Sequence, residues 1–179
     1  AETLEALAPA AATVIDPVMV ATSGDRLVNE RAVQSLQSLL IPGAGLVTPN
    51  APEAEILTGK SVDGINGQRR AAELLLKRGA KGVLIKGGHI PGRVIMDVLQ
   101  TEHGEWIFEG ERVDTSSTHG TGCTLASAIA AGLAEGAAIE DAVEAARDYL
   151  MGAIRNAKGF GQGHGPVHHG WQLDQDDER

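Results

Sequence analysis

Short apolar runs alternate with helix-like segments along the first half of the chain, and each run stops at a polar or turn-forming residue. The runs are Val14–Ile15, Gly45–Thr48 and Val83–Ile85. Asp16-Pro17 follows the first, Pro49 the second and Lys86 the third. Short runs rich in β-branched residues and bounded by turn residues predict buried strands. We therefore expect three buried strands before residue 86.

Apolar residues at helical spacing separate these runs and predict helices over 29–40, 52–57 and 68–78. Pro52 suits the first turn of the second helix, and Gly59 and Gly79 suit the positions after helix ends. An alternation of strands and helices is typical of right-handed βαβ units and a mainly parallel sheet. The sequence thus predicts an α/β fold in a single domain over residues 1–179.

The pattern changes in the second half. Two strand-like runs, Val94–Leu99 and Trp106–Phe108, flank a turn-rich segment and predict an edge hairpin near residues 93–109. Helices are expected over 122–134 and 139–157. The apolar stripe of the second helix is formed by Ile139, Val143, Ala146, Leu150 and Ile154. The segment 159–179 is expected to be a loop and then a frayed terminus.

Composition narrows the class of protein. The 179 residues are 42% hydrophobic but only 3% aromatic, which favours close helix–sheet packing in an α/β protein. The net charge of -9 argues against general affinity for nucleic acids. One cysteine excludes an internal disulfide framework, and no apolar run is long enough to span a membrane. With no signal-peptide pattern either, we expect a cytoplasmic protein without membrane partners.

Polar residues gather where the predicted strands end. Asp16 follows the first strand, Thr48 and Asn50 the second, with Glu53 close behind, and Lys86 the third. Ligands of open α/β sheets bind at the carboxyl ends of strands. Carboxylates with Thr or Asn can hold Mg²⁺, and lysine can hold phosphate oxygens. These residues together predict a phosphoryl-transfer site.

A glycine-rich turn precedes the helix predicted from residue 122. Gly120 and Gly122 allow close backbone approach to a ligand, and the helix adds the positive end of its dipole. A phosphate, or charge developing on a transferring phosphoryl group, suits such a turn. Cys123 lies at this helix start, a position that favours a thiolate.

Each of these residues also has a structural interpretation. Asp16 could cap a turn, and Lys86 could be a solvated charge on a loop. Glu53 could interact favourably with the dipole of its own helix. Cys123 could simply pack as a small hydrophobic residue. The histidines at 89, 164, 168 and 169 lack the spacing of a zinc site and are interpreted as loop residues.

Four motifs occur in the order Asp16–Gly24, Thr48–Glu55, Lys86–His89 and His119–Thr124, and a later run covers Gly161–Val167. Together they resemble the hydroxymethylpyrimidine/phosphomethylpyrimidine kinases of thiamine biosynthesis, in the ribokinase-like superfamily. The resemblance implies a ribokinase-like α/β fold. It also implies ATP- and Mg²⁺-dependent phosphorylation of 4-amino-5-hydroxymethyl-2-methylpyrimidine and then of its monophosphate.

The resemblance assigns roles to individual positions. Those that would organise Mg²⁺ and the ATP phosphates, or lie near the nucleotide, are Asp16, Thr48, Glu53, Asn50 and Lys86. Of these, Asp16 and Glu53 would hold Mg²⁺, directly or through water. The positions that would form an anion hole are Gly120, Thr121 and Gly122. Cys123 falls where the family activates the substrate hydroxyl, and Val18 falls on the pyrimidine pocket.

One departure from the family concerns length. The chain begins just before the Asp16 motif, so the resemblance covers only the C-terminal two-thirds of the family fold. We expect an unpaired strand edge, exposed apolar surface, association as a homodimer or through that edge, and weak activity of this chain alone. Two other functions stay open: a pyridoxal-type kinase of the same superfamily, and a catalytically silent nucleotide-binding module.

Overall fold

The protein, a computed structural model, is described over residues 13–20, 27–160 and 162–176. It divides into two compact units, Ala1–Arg112 and Val113–Arg179. The first unit contains the whole described sheet, and the second is helical. The single domain expected from the sequence stays a prediction.

A five-stranded sheet in the order β1-β2-β3-β4-β5 forms the first unit. The strands are β1 (Val14–Ile15), β2 (Leu46–Val47), β3 (Gly82–Ile85), β4 (Val94–Thr101) and β5 (Gly104–Glu111). The first three strands are parallel, β4 is antiparallel to β3, and β5 is antiparallel to β4. Four of the five strands therefore point the same way, and the predicted mainly parallel sheet with an edge hairpin is confirmed.

The hairpin strands are longer than the sequence predicts. Pairing continues to Thr101 opposite Gly104, so only Glu102 and His103 form the turn. Gln100 and Glu105, which we assigned to the turn, are paired across the strands, and the Gln100 Nε2 donates to Glu105 Oε2 at 2.9 Å. These polar residues, which we interpreted as part of a turn, are cross-strand partners. Polar cross-strand pairs stabilise a sheet in the same way as apolar pairs.

The helices of the first unit are α1 (Glu30–Ser35), α2 (Ala51–Thr58) and α3 (Ile65–Lys77). The prediction of one regular helix over 29–40 is wrong in its second half, where Leu36–Leu40 form a π-helical turn. The Ile41 N–H reaches back to the Leu36 carbonyl at 3.0 Å, a span of five residues instead of four. Asn29 caps the start, its Oδ1 accepting the Ala32 N–H.

The core of the first unit lies between the sheet and helices α2 and α3. Val47, Val83 and Ile85 from the sheet are fully buried, as are Ala71 and Leu75 from α3. The continuous burial of β2 and β3 explains why these strands appear in the sequence as apolar runs and not as alternating patterns. This packing fixes the position of the strands, so the residues that follow them lie at the edge of the sheet.

The second unit contains α4 (Thr121–Ala134), α5 (Ile139–Arg155) and a short helix α6 (Trp171–Asp176). A Cβ placed on Gly132 of α4 would come within 3.2 Å of the Ala142 Cβ of α5, so the two helices pack closely. Val143 and Ala146 of the predicted stripe are buried. Ile139, Leu150 and Ile154 are only half-buried, and the buried face is completed by Ala142 and Ala153.

The C-terminal segment is more ordered than a loop and frayed end. Val167 is buried, the Trp171 ring lies against Gly152 of α5, and the Tyr149 hydroxyl donates to the His169 carbonyl at 2.8 Å. Contacts with α5 thus order the segment that leads into α6, which its polar composition did not indicate. The expected frayed terminus at 177–179 lies outside the described residues.

Strand β1 ends the described sheet on one side, and large apolar side chains are exposed in the same unit. Leu27 is 57% exposed and Leu39 60%. Exposed apolar surface was expected, while association through the strand edge stays a prediction. Across the described ranges, no helix combines the length and apolarity that a membrane span requires.

Candidate functional site

The residues after the three parallel strands lie side by side because the ladder continues beyond the strands themselves. The Thr48 N–H donates to the Ile15 carbonyl at 2.9 Å, and the Lys86 N–H donates to the Pro49 carbonyl at 2.9 Å. Asn50 and Lys86 form a further parallel bridge. The carboxyl ends of β1, β2 and β3 therefore share one edge, as the sequence predicted.

Asp16 is the centre of this edge. Its Oδ1 accepts a hydrogen bond from Lys86 Nζ at 2.9 Å and another from the Thr48 hydroxyl at 3.3 Å. The side chains of Lys86 and Asp16 are only 13% and 12% exposed. The second carboxylate oxygen, Oδ2, is buried and has no partner among the described residues. A buried, unpartnered carboxylate oxygen is costly unless a ligand completes its coordination.

Glu53 lies beside this pair but has a structural role as well. Its Oε2 accepts the Asn50 N–H at 2.8 Å while Asn50 Oδ1 accepts the Glu53 N–H at 2.9 Å, a capping box at the start of α2. Glu53 Oε1 accepts the Met19 N–H at 3.4 Å. Burial raises the pKa of the Glu53 carboxyl. The hydrogen bond from the Asn50 N–H and the positive charge of Lys86 lower this pKa, and the negative charge of Asp16 raises it. The Glu53 carboxyl is therefore close enough to interact electrostatically with both Lys86 and Asp16.

The donor set of this edge fits Mg²⁺. No group of three or more His, Cys, Asp and Glu side chains converges within the described ranges, so an all-protein metal cage is not formed there. Mg²⁺ does not need one, because it usually binds through one or two carboxylates together with water and substrate phosphates. Asp16 Oδ2 is available for direct contact. Glu53, whose two oxygens already accept backbone N–H groups, suits contact through water.

A cavity of about 170 Å³ opens beside Asp16. Val18, Met19 and Val33 contribute apolar walls, and Asp16 contributes the polar one. Val18 is 39% exposed, so its side chain is accessible to a ligand. A small cavity with apolar walls and one charged group suits a flat heteroaromatic ring. Val18 thus lines this cavity, and its contact with the pyrimidine stays a prediction.

Two buried polar residues that sequence reasoning missed support the segment after β3. Asp97 of β4 accepts the Gly87 N–H at 2.7 Å. Gln68 of α3 donates through its Nε2 to the Ile85 carbonyl at 3.1 Å and the Met96 carbonyl at 2.7 Å. Of the two, only Asp97 could have been suspected from the sequence, because it is a lone carboxylate inside an apolar strand.

Gly87 is irreplaceable on steric grounds. A Cβ there would fall well inside contact distance of the Met96 carbonyl oxygen, while a Cβ on Gly88 would meet no atom within 4 Å. We expect Gly87→Ala to lower the free energy of unfolding by about 1–3 kcal/mol, the usual cost of overpacking. Gly88→Ala is the matched control and should unfold as the wild type does. Denaturant titration of the three proteins measures this, and equal midpoints for both variants would refute the steric argument.

The glycine turn of the second unit starts α4. Gly120 is the N-cap in the left-handed region, with φ 84°, which favours glycine. The Thr124 N–H and hydroxyl both donate to the Gly120 carbonyl, at 2.9 and 2.8 Å. The N–H groups of Thr121, Gly122 and Cys123 belong to the first turn, where no helical carbonyl accepts them. Cys123 is exposed there.

A second segment of the same unit holds the turn in place. The His119 N–H donates to the Gly165 carbonyl at 3.0 Å, and His119 forms a parallel bridge with Pro166. The Thr118 hydroxyl lies 3.3 Å from His164 Nδ1. Residues 164–166, part of the later run noted in the sequence, therefore support the glycine turn within the second unit.

The predicted site residues fall into two groups. The structure brings together five of them in the first unit, namely Asp16, Thr48, Asn50, Glu53 and Lys86, with Val18 on the adjoining cavity. The turn from Gly120 to Cys123 lies in the second unit. The expected convergence of both groups on one rim stays a prediction.

Known proteins resemble the chain closely in sequence. It is 46% identical over 159 residues to the hydroxymethylpyrimidine/phosphomethylpyrimidine kinase of Rhizobium meliloti, covering 87% of this chain and 60% of that protein. The chain thus spans about three-fifths of the length of this relative.

Solved structures agree with the fold. Pyridoxal kinase from Staphylococcus aureus in complex with pyridoxal matches with a TM-score of 0.86 and 32% identity, covering 96% of this chain and 61% of that one. Phosphomethylpyrimidine kinase from Clostridium difficile matches with a TM-score of 0.73 and 37% identity, covering 86% and 61%. The expected ribokinase-like α/β fold is confirmed.

The family profile described as phosphomethylpyrimidine kinase matches residues 1–168, which is nearly the whole chain and includes both groups of site residues. Together with the identity to the Rhizobium relative, this match shows that the chain belongs to the phosphomethylpyrimidine kinase family.

Proposed function

We propose that the protein transfers the γ-phosphoryl group of ATP, in the presence of Mg²⁺, to 4-amino-5-hydroxymethyl-2-methylpyrimidine and then to its monophosphate, in thiamine biosynthesis. The observation that carries this proposal is the arrangement around Asp16. A lysine, a threonine hydroxyl and a buried carboxylate oxygen without a partner meet at the carboxyl ends of three parallel strands. Membership of the kinase family supports it.

The first unit would bind the nucleotide and the metal. Asp16 would hold Mg²⁺ directly and Glu53 through water, with Thr48 orienting Asp16. Mg²⁺ bound there would neutralise charge on the phosphates. Lys86, with Asn50 beside it, would supply a cation to the phosphate oxygens. The Asp16–Lys86 contact keeps both charges balanced at the site in a partly buried setting.

The second unit would supply the anion-stabilising turn and the base. N–H groups from Gly120 to Gly122 would stabilise charge on the transferring phosphoryl group, helped by the dipole of α4. Cys123 would accept the proton of the substrate hydroxyl as the new O–P bond forms. An exposed thiol needed for catalysis must stay reduced, and this supports a cytoplasmic location.

A second candidate is phosphorylation of pyridoxal. It is favoured by the structural likeness to the Staphylococcus aureus pyridoxal kinase, whose ligand also carries a hydroxymethyl group on a heteroaromatic ring. The higher sequence identity to pyrimidine kinases favours the first candidate.

The complete protein, expressed from the start of its reading frame, decides between the substrates. We expect kcat/KM for hydroxymethylpyrimidine to exceed that for pyridoxal by at least about tenfold, the lower end of the discrimination that a small difference in ligand shape provides. A preference for pyridoxal would replace the first candidate by the second. Calorimetric binding of ATP with no turnover of either alcohol would instead identify a silent nucleotide-binding module.

A further inference from the structure

The loop after Lys86 and Gly87 is held by a single side chain from the end of the hairpin. Arg112 donates from Nη1 to the Gly88 carbonyl at 2.7 Å, from Nη2 to the Ile90 carbonyl at 2.8 Å and from Nε to the Gly92 carbonyl at 2.9 Å. Every nitrogen of the guanidinium thus has a carbonyl of this loop as its acceptor. Only the planar, permanently charged fork of arginine can serve three carbonyls in this way.

Other contacts fix the two ends of the same loop. The Gly87 N–H donates to Asp97 at 2.7 Å, and the Ile90 N–H donates back to the Gly87 carbonyl at 2.8 Å. At the far end, the Arg112 N–H donates to the Arg93 carbonyl at 2.9 Å. Between these ends the loop forms no β-ladder, and the Arg112 side chain supplies hydrogen bonds to its backbone carbonyls instead.

The loop also lies at the charged edge described above. It starts at Lys86, whose Nζ contacts Asp16 at 2.9 Å. Burial and the charges of Lys86 and Arg112 lower the pKa of His89, in the middle of the loop, so both cations act on the same short segment. His89 therefore lies close enough to Lys86 for the two side chains to interact electrostatically.

We propose that Arg112 is a positioning residue for nucleotide binding: by holding the carbonyls of Gly88, Ile90 and Gly92, it fixes the loop that starts at Lys86 in the conformation that accepts the ATP phosphates. This inference rests on the proposed function, because it takes Lys86 as a phosphate ligand. Arg112 itself contacts the loop and not the phosphates. Its loss should weaken ATP binding with little effect on the chemical step.

The test compares Arg112→Lys with the wild type in the complete protein. The lysine variant keeps the positive charge, but its three donors share one nitrogen and cannot reproduce contacts made by three separate guanidinium nitrogens. We expect the Kd for MgATP to rise by about tenfold, and the KM for ATP with it, while kcat at saturating ATP changes less than about twofold. Amide hydrogen exchange of Ile90 should become faster, because the loop carbonyls lose the hydrogen bonds that Arg112 donates.

Arg93→Lys is the matched control, since Arg93 ends the same loop but its side chain is 89% exposed and makes only a long contact of 4.0 Å with Glu111. It should bind MgATP as the wild type does. Arg112→Gln, which keeps donors without the charge, is the second variant and should also weaken binding. Unchanged affinity in both Arg112 variants, or an equal loss in Arg93→Lys, would overturn the inference. A wild type that binds no MgATP would overturn the proposed function and this inference with it.

Discussion

Replacing Cys123 by serine should lower turnover by roughly 10²–10⁴-fold, the usual effect of losing a general base, while leaving ATP affinity unchanged. Cys123 is exposed on the first turn of α4, directly after the glycine turn. A thiolate can take up the substrate proton, whereas a serine hydroxyl near neutral pH has almost no conjugate base to do so. Positioning and charge stabilisation by the turn would remain, so activity should fall and not vanish.

Steady-state kinetics and calorimetric ATP titration of the complete protein measure both parts of this prediction. Ser127→Ala, at an exposed position further along the same helix, is the control and should behave as the wild type does. If Cys123→Ser turned over at the wild-type rate, Cys123 would have no catalytic role. The catalytic role would then pass to the N–H groups from Gly120 to Gly122.

Asp16→Asn should reduce kcat/KM by about 10²–10³-fold, comparable to the loss of one preorganised electrostatic contact in an active site. The amide keeps the shape of the side chain but removes the charge opposite Lys86, which lies 2.9 Å away. It also places either an uncharged oxygen or an unpartnered NH₂ group where the buried Oδ2 now lies. Mg²⁺ would lose its charged ligand, so the half-saturating Mg²⁺ concentration should rise by at least about tenfold.

The comparison variant for Asp16→Asn is Asp63→Asn, which removes the same charge from an exposed position of the first unit. Initial rates over a Mg²⁺ series at fixed ATP give the result for each protein. A Mg²⁺ dependence of Asp16→Asn that overlays the wild type would show that Asp16 only pairs with Lys86. The first unit would then need another metal ligand.

The parallel part of the sheet could be predicted because each strand is a buried apolar run that ends at a turn residue. Val83 and Ile85, for instance, are fully buried, and no polar residue interrupts the run between Gly82 and Lys86. The group around Asp16 followed, since parallel strands present their carboxyl ends at one edge. What the pattern could not reveal was the continuation of β4 and β5 to their turn, where Gln100 and Glu105 pair with each other.

The supporting contacts were not predictable from spacing. Arg112 and Gln68 act through backbone carbonyls of distant segments, and a carbonyl leaves no mark in a sequence. The dual use of Glu53 is similar, because a capping box and a site carboxylate have the same residue at the same position. The order in the C-terminal segment depends on Trp171 lying against Gly152, a contact that polar composition conceals.

We propose that this chain carries the phosphoryl-transfer machinery of a pyrimidine kinase. The most direct test is ³¹P NMR of the complete protein with MgATP and hydroxymethylpyrimidine. We predict that a phosphate monoester signal on the pyrimidine grows in step with ADP and that no signal grows when Mg²⁺ is chelated. Intact ATP after prolonged incubation, or ADP formed with inorganic phosphate and no ester, would contradict the claim.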